Sequence, residues 1–213
     1  MRVSEPLLVL GSYFVLTAIS TVAYRLRADP TRLAFTDRIL WTGLVEELVL
    51  MAAFVPWLVR RGWNLARITH TFTPGDLLRG LPVLVYCYLL YFASFFLFSA
   101  IDPAAARQMA EARLVGDVST GVVVLISIVN PVFEEFLLLG YTFNALDRRS
   151  SWVPWLISLG LRVGSHVYQG PAAVVAILPF GLVFTAYYVG TRRIWPVVIA
   201  HALLDLLGLM QRS

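Results

Sequence analysis

Six ionisable residues sit in stretches that are otherwise oily: Glu134 and Glu135, Arg162 and His166, His201 and Asp205. A carboxylate or an arginine at the centre of a membrane helix costs about 2.5 to 3.5 kcal/mol even on the mildest scales, so each needs a polar partner. Adjacent carboxylates point about 100° apart on a helix, so one of Glu134 and Glu135 can face a cavity while the other meets a neighbouring helix. Arg162 and His166 are spaced i, i+4, as are His201 and Asp205, and each pair therefore shares one helix face. Acids, imidazoles and a guanidinium that need one another as partners point to a shared polar cavity able to hold water and move protons. Asn130 and Pro131 lie one turn before the glutamates, and the proline predicts a kink and a freed carbonyl, which membranes tolerate only beside polar partners.

The elements that must position these groups follow from composition. Of 213 residues, 59% are hydrophobic and only 14% charged, and the mean hydropathy is +0.75, against about 25% charged for a soluble domain. The chain reads as a polytopic membrane protein. All 17 basic residues are arginine, a usage that suggests a GC-rich bacterial genome. The net charge of +4 fits loop arginines at lipid headgroups better than a nucleic-acid surface, since no basic run carries interleaved aromatics. Cys87, the single cysteine, lies in an apolar run, which excludes an internal disulfide and reads as a small core side chain.

With roughly 20 apolar residues needed per crossing, the spans fall near 5–25, 38–59, 79–101, 118–142, 152–169, 172–190 and 194–210. The expected fold is an all-α polytopic transmembrane helical bundle of about seven membrane helices, eight at most. Residues 1–117 are expected to form amino-terminal spans with an interfacial segment and residues 118–213 the helical core that carries the ionisable set, the two making one integral membrane unit. The first span has Glu5 where a signal peptide would carry a basic region, so it reads as retained. Counting arginines on alternate loops gives nine on the amino-terminal side against seven, which favours a cytoplasmic amino terminus. Trp63 to Phe72 mixes apolar with basic residues and predicts a helix along the interface, with His70 as an interfacial residue. Glu46 and Glu47, a second acidic pair inside span 38–59, read as a helix–helix contact, with a place in a cavity wall or proton path as the alternative.

The ordered set Glu134-Glu135, then His166 near the end of the next span, then His201-Ala-Leu-Leu-Asp205 two spans later resembles the CPBP intramembrane proteases. That family includes the type II CAAX prenyl endopeptidases and the Abi proteins linked to bacteriocin processing and immunity. The Phe180-Gly181-Leu182-Val183 run and the approach to His201 are similar too, and the resemblance covers roughly 118–210, under half of the chain. Two positions depart from the family pattern. Its first motif usually has Arg where Leu139 stands, and its second usually has Phe where Arg162 stands. Arg162 is therefore expected to bring to the glutamates the guanidinium that the Leu139 position lacks, unless it reaches the interface or Asp205 instead.

The resemblance implies an intramembrane endopeptidase acting on a membrane-embedded or membrane-associated peptide or protein, in a bacterial cytoplasmic membrane. It implies Glu134 with His166 activating water, and His201 with Asp205 stabilising the oxyanion; Arg162 and Asn130 are expected in support from their own placement beside these groups. Asp205 serves as an oxyanion donor only if protonated, and otherwise orients His201 through a ring nitrogen. No metal is required by the spacing, since His-Glu-x-x-His is absent; the alternative is a zinc held by Glu134, His166, His201 and Asp205 with an open water position. Serine chemistry finds no Gly-x-Ser-x-Gly elbow, and Ser165 is expected to point around the helix from His166. Two other functions use the same residues: an inactive relative acting as a membrane scaffold, and a small proton-coupled carrier, although the hydropathy shows no inverted repeat.

Overall fold

The computed structural model describes residues 4–27, 35–104, 106–107, 118–146, 152–167 and 171–210. Among them the regular elements are all helical: α1 (Ser4–Arg27), α2 (Asp37–Arg60), α3 (Leu65–Thr69), α4 (Pro74–Ile101), α5 (Thr120–Glu135), a π-helical segment π1 (Phe136–Tyr141), α6 (Thr142–Leu146), α7 (Trp152–Ser165), α8 (Pro171–Thr191) and α9 (Trp195–Met210). The all-α membrane bundle read from the sequence is the fold. Residues 37–60, 74–101, 120–146 and 174–191 are each long and apolar enough to cross a membrane.

Local chemistry sets the helix ends. Thr36 caps α2 by accepting from the Ile39 N–H at 3.3 Å, and Asn64 caps α3 in the same way through the Arg67 N–H. At the start of α4 the buried Asp76 carboxylate accepts from the backbone N–H of Thr73 at 2.8 Å and from its hydroxyl at 2.9 Å. The same carboxylate accepts from Arg193 Nη2 at 2.7 Å and Nε at 2.8 Å, which ties α4 to the turn between α8 and α9. That turn is made by Arg192, which takes a positive φ of 56°.

Helix α7 is shorter than the span expected over 152–169. Its 14 residues rise about 21 Å, short of the ~30 Å hydrocarbon core. The helix stops at Ser165 because Ser165 Oγ and His166 Nδ1 both turn back onto the Arg162 carbonyl, at 2.9 and 2.8 Å. The segment expected along the interface is also more firmly docked. Trp63 donates to Glu5 Oε1 at 2.5 Å and packs on Tyr141, Ile68 is buried, and His70 supplies its carbonyl to Trp195 Nε1 at 2.9 Å.

The long helix from 120 to 146 is the hub, with 67% of its apolar window buried, against 11% for α2 and α4. One core cluster joins α1 and α2 to it through Val9, Tyr13, Leu58, Phe133, Leu137, Leu138 and Tyr141. A second joins α4, π1, α8 and α9 through Cys87, Leu139, Phe184, Tyr188 and Val197. The outward faces of α1, α2 and α4 expose Leu7, Leu48, Leu78, Leu97 and Ile101. Such a surface is unfavourable in water and natural against lipid tails.

The hub widens after Pro131 rather than at it. Helix α5 runs through Pro131 to Glu135, and the widened π segment begins at Phe136. The Thr142 hydroxyl, five residues on, bonds the Leu137 carbonyl at 2.8 Å and satisfies one acceptor that the widened turn displaces. Gly140 lies under α3 so closely that a Cβ there would stand 2.6 Å from Ile68 Cγ2.

Candidate functional site

The buried charges gather around the end of α5. Glu135 is fully buried and Glu134 nearly so. Arg162 of α7 joins them: Nη2 donates to Glu135 Oε2 at 2.7 Å and Nη1 to Glu134 Oε2 at 3.3 Å. His201 of α9 completes the chain, its Nδ1 2.6 Å from Glu135 Oε1 and its Nε2 3.5 Å from Asp205 Oδ1. Asn130, one turn before Glu134, donates from Nδ2 to Asp205 Oδ2 at 3.0 Å. The connected set is thus Glu134, Arg162, Glu135, His201, Asp205 and Asn130.

Packing explains why Arg162 lies here. The guanidinium carbon rests 5.3 Å from the Phe184 ring centroid, and that ring lies 5.4 Å from the His201 ring. Phe184 thus floors both cationic groups, a favourable placement over a π face. One turn earlier on α8, Gly181 leaves room for the Arg162 stem: a Cβ there would stand 3.1 Å from Arg162 Cδ and 2.8 Å from Leu159 Cδ2. Leu139 is fully buried in the cluster that holds Phe184, so the guanidinium reaches the glutamates from α7 while the π segment contributes only apolar packing.

The two imidazoles stand in different settings. Both His201 nitrogens face carboxylates, which fits an imidazolium with a proton on each. His166 turns Nδ1 towards the Arg162 carbonyl at 2.8 Å; a carbonyl only accepts, so Nδ1 carries a proton. His166 lies within electrostatic reach of Asp205.

Ser165 differs from its expected orientation. Its Oγ lies 3.0 Å from His166 Nδ1, because His166 falls beyond the end of α7 and escapes the 100° helical step. The contact does not make a nucleophilic dyad. The Nδ1 proton is committed to the Arg162 carbonyl, and the serine hydroxyl donates to that same carbonyl, so no base accepts the serine proton.

Glu134, Glu135 and His201 bring donor atoms within 4.8 Å of one another, a spacing a cation could bridge. The donor chemistry does not fit one. Arg162 already supplies positive charge to both glutamates, and a dication among the same oxygens would stand against that guanidinium.

Three contributors to this region were not read as site residues from the sequence. Gly181 lay in the run that resembles the family, but neither it nor Phe184 carries a polar group that would mark it as lining the site. Glu47 had a signal, an acid in mid-span, but nothing in the sequence showed which helix it met.

Fold and site together define a class: a polytopic helical membrane protein with a buried carboxylate, guanidinium and imidazole centre on three helices. The segment that builds this centre, residues 117–207, matches the family model described as type II CAAX prenyl endopeptidase Rce1-like, which supports the CPBP family. Neither a search of the curated proteins nor one of the solved structures found a match.

Proposed function

We propose that the protein is an intramembrane endopeptidase that hydrolyses a peptide bond of a membrane-associated peptide or protein, with Glu134 and His166 activating water and without an obligatory metal. The observation that supports this most directly is the convergence of Glu134, Arg162, Glu135, His201 and Asp205 in one buried cluster within the family-matched segment.

Glu135 is wholly enclosed and bonded through both oxygens, whereas Glu134 keeps slight exposure and a single bonded oxygen. Glu134 is therefore the carboxylate that accepts a proton from water, with His166 as its partner. The water oxygen attacks the carbonyl carbon, the carbonyl oxygen takes the negative charge, and the departing nitrogen receives the proton as the C–N bond breaks. The His201 Nδ1–H is held by Glu135 at 2.6 Å, so its Nε2–H, only loosely placed at 3.5 Å from Asp205, is the donor that can turn to that oxygen. Asp205 needs no proton of its own in this scheme, because it accepts from Asn130 and faces His201 Nε2, and so orients the ring. The bacterial cytoplasmic membrane is the proposed setting.

The test uses purified protein in detergent micelles with an internally quenched peptide bearing a farnesylated CAAX end and with the same peptide unlipidated. Membranes containing wild type or Glu134→Ala are compared in parallel for new protein amino termini. Cleavage lost in Glu134→Ala, His166→Ala and His201→Ala at unchanged expression supports the reading. Cleavage that survives Glu134→Ala sinks the mechanism, and no cleavage of either peptide and no new termini favours the scaffold function.

A further inference from the structure

Three carboxylates of the cluster have partners in it: Glu134 has Arg162, Glu135 has Arg162 and His201, and Asp205 has His201 and Asn130. Glu47 of α2, outside the family-matched segment, is a fourth acid beside them. Its place follows from helical register. Leu44 packs with Val123 and Ile126 of α5, and Met51 packs on the cluster containing Phe133 and Leu137. Residues three before and four after Glu47 thus bracket it at the level of Asn130 and Glu134. Glu134 and Asp205 lie within electrostatic reach of Glu47, with Glu46 beside it on α2, and Tyr13 of α1 packs in the cluster that holds Met51 and Phe133. Glu46 itself is exposed and accepts from Ser20 Oγ at 3.0 Å. The Glu47 Oε2 atom is buried with no hydrogen-bond partner among the described residues.

Charge and hydrogen bonding then lead to one arrangement. Arg162 and a doubly protonated His201 set two positive charges against three carboxylates. An ionised Glu47 would add a further negative charge, facing two acids and, among the described residues, no cation, with a buried oxygen lacking a donor there. A neutral Glu47 removes the charge and turns the unmatched oxygen into a donor.

We propose that Glu47 is a fourth acid of this site, carried in its neutral form, whose hydroxyl faces the Glu134 and Asp205 carboxylates and helps to keep them ionised. It is a positioning residue: it donates towards the acids, directly or through one water, and holds Glu134 ready to take a proton. The proposal stands on the packing of Leu44 and Met51 against α5 and on the unpartnered Glu47 oxygen, and its use in catalysis rests on the peptidase reading above.

Apolar carbodiimides add to neutral carboxylic acids in dry surroundings and spare carboxylates, so dicyclohexylcarbodiimide is the probe. The intact protein in micelles at neutral pH is expected to take one adduct, mapped by fragmentation to Glu47, retained in Glu46→Gln and absent in Glu47→Gln. An adduct on Glu46, Glu134 or Asp205 instead, or no adduct, overturns the proposal. In the cleavage assay, Glu47→Ala is expected to move the acid limb of the kcat/KM profile to higher pH by about one unit, because Glu134 loses a donor that favours its ionised form. Glu47→Gln, which keeps a neutral donor, moves it less. A shift to lower pH in both variants shows an ionised Glu47 and overturns the proposal. A Glu47 adduct on a protein that cleaves nothing leaves the neutral acid standing and removes only the peptidase reading, whereas cleavage with the adduct elsewhere does the reverse.

Discussion

Arg162 decides whether the buried acids can coexist. It is the cation that touches both Glu134 and Glu135, and its side chain is almost fully enclosed. Removing one partner of a buried ion pair leaves an uncompensated charge and costs about 3 to 5 kcal/mol. Arg162→Met is therefore expected to lower the melting temperature in micelles sharply, and adding Glu135→Gln to recover part of the loss. Two fully additive losses in that double-mutant cycle would show that the pair is not coupled. The same guanidinium bears on metal dependence. With Arg162 serving both glutamates, cleavage is expected to survive prolonged treatment with EDTA and 1,10-phenanthroline. Loss of cleavage that zinc restores would show instead that the acids serve a metal.

At the scale of elements, the site depends on how closely α7 approaches α8. Gly181→Ala would place a methyl 2.8 Å from Leu159 and 3.1 Å from the Arg162 stem. Overpacking of this kind costs about 1 to 3 kcal/mol, and here it also pushes the guanidinium away from the acids. Gly160, on the same helix as Arg162, has nothing within 4 Å of such a methyl. Gly160→Ala is thus expected to hold or raise stability through helix propensity, by up to about 1 kcal/mol. Equal effects of the two substitutions on melting temperature would contradict the packing account. Element positions were largely legible in the sequence, because an apolar run of membrane length is a local signal. The π segment was not, since Phe136 to Gly140 is apolar in either a 3.6-residue or a widened turn, and the choice rests on Thr142 and on the approach of Ile68 to Gly140. The early stop of α7 was hidden for a related reason: it depends on two side chains sharing one carbonyl. Glu47 was visible as an acid, but its role turns on which α5 residues Leu44 and Met51 meet.

At the scale of the molecule, the matched segment does not hold its site alone. Leu137, Leu138 and Tyr141 of π1 pack against Val9, Tyr13 and Leu58 of α1 and α2, and Trp63 lies on Tyr141. Truncating one such buried leucine typically costs about 2 to 5 kcal/mol, so losing all of α1 to α4 would expose more apolar surface than the remaining helices can cover. Lipid does not fully substitute, because tails cannot fill the fitted contacts beside Glu134 and Glu135 and would bring hydrocarbon near buried charge. Residues 118–213 expressed alone are therefore expected to aggregate or be degraded. The same piece co-expressed with residues 1–117 is expected to re-form a complex that copurifies in detergent and melts cooperatively. A monodisperse 118–213 fragment that melts near the temperature of the whole chain would show instead that the amino-terminal helices are an accessory to the site rather than one of its walls.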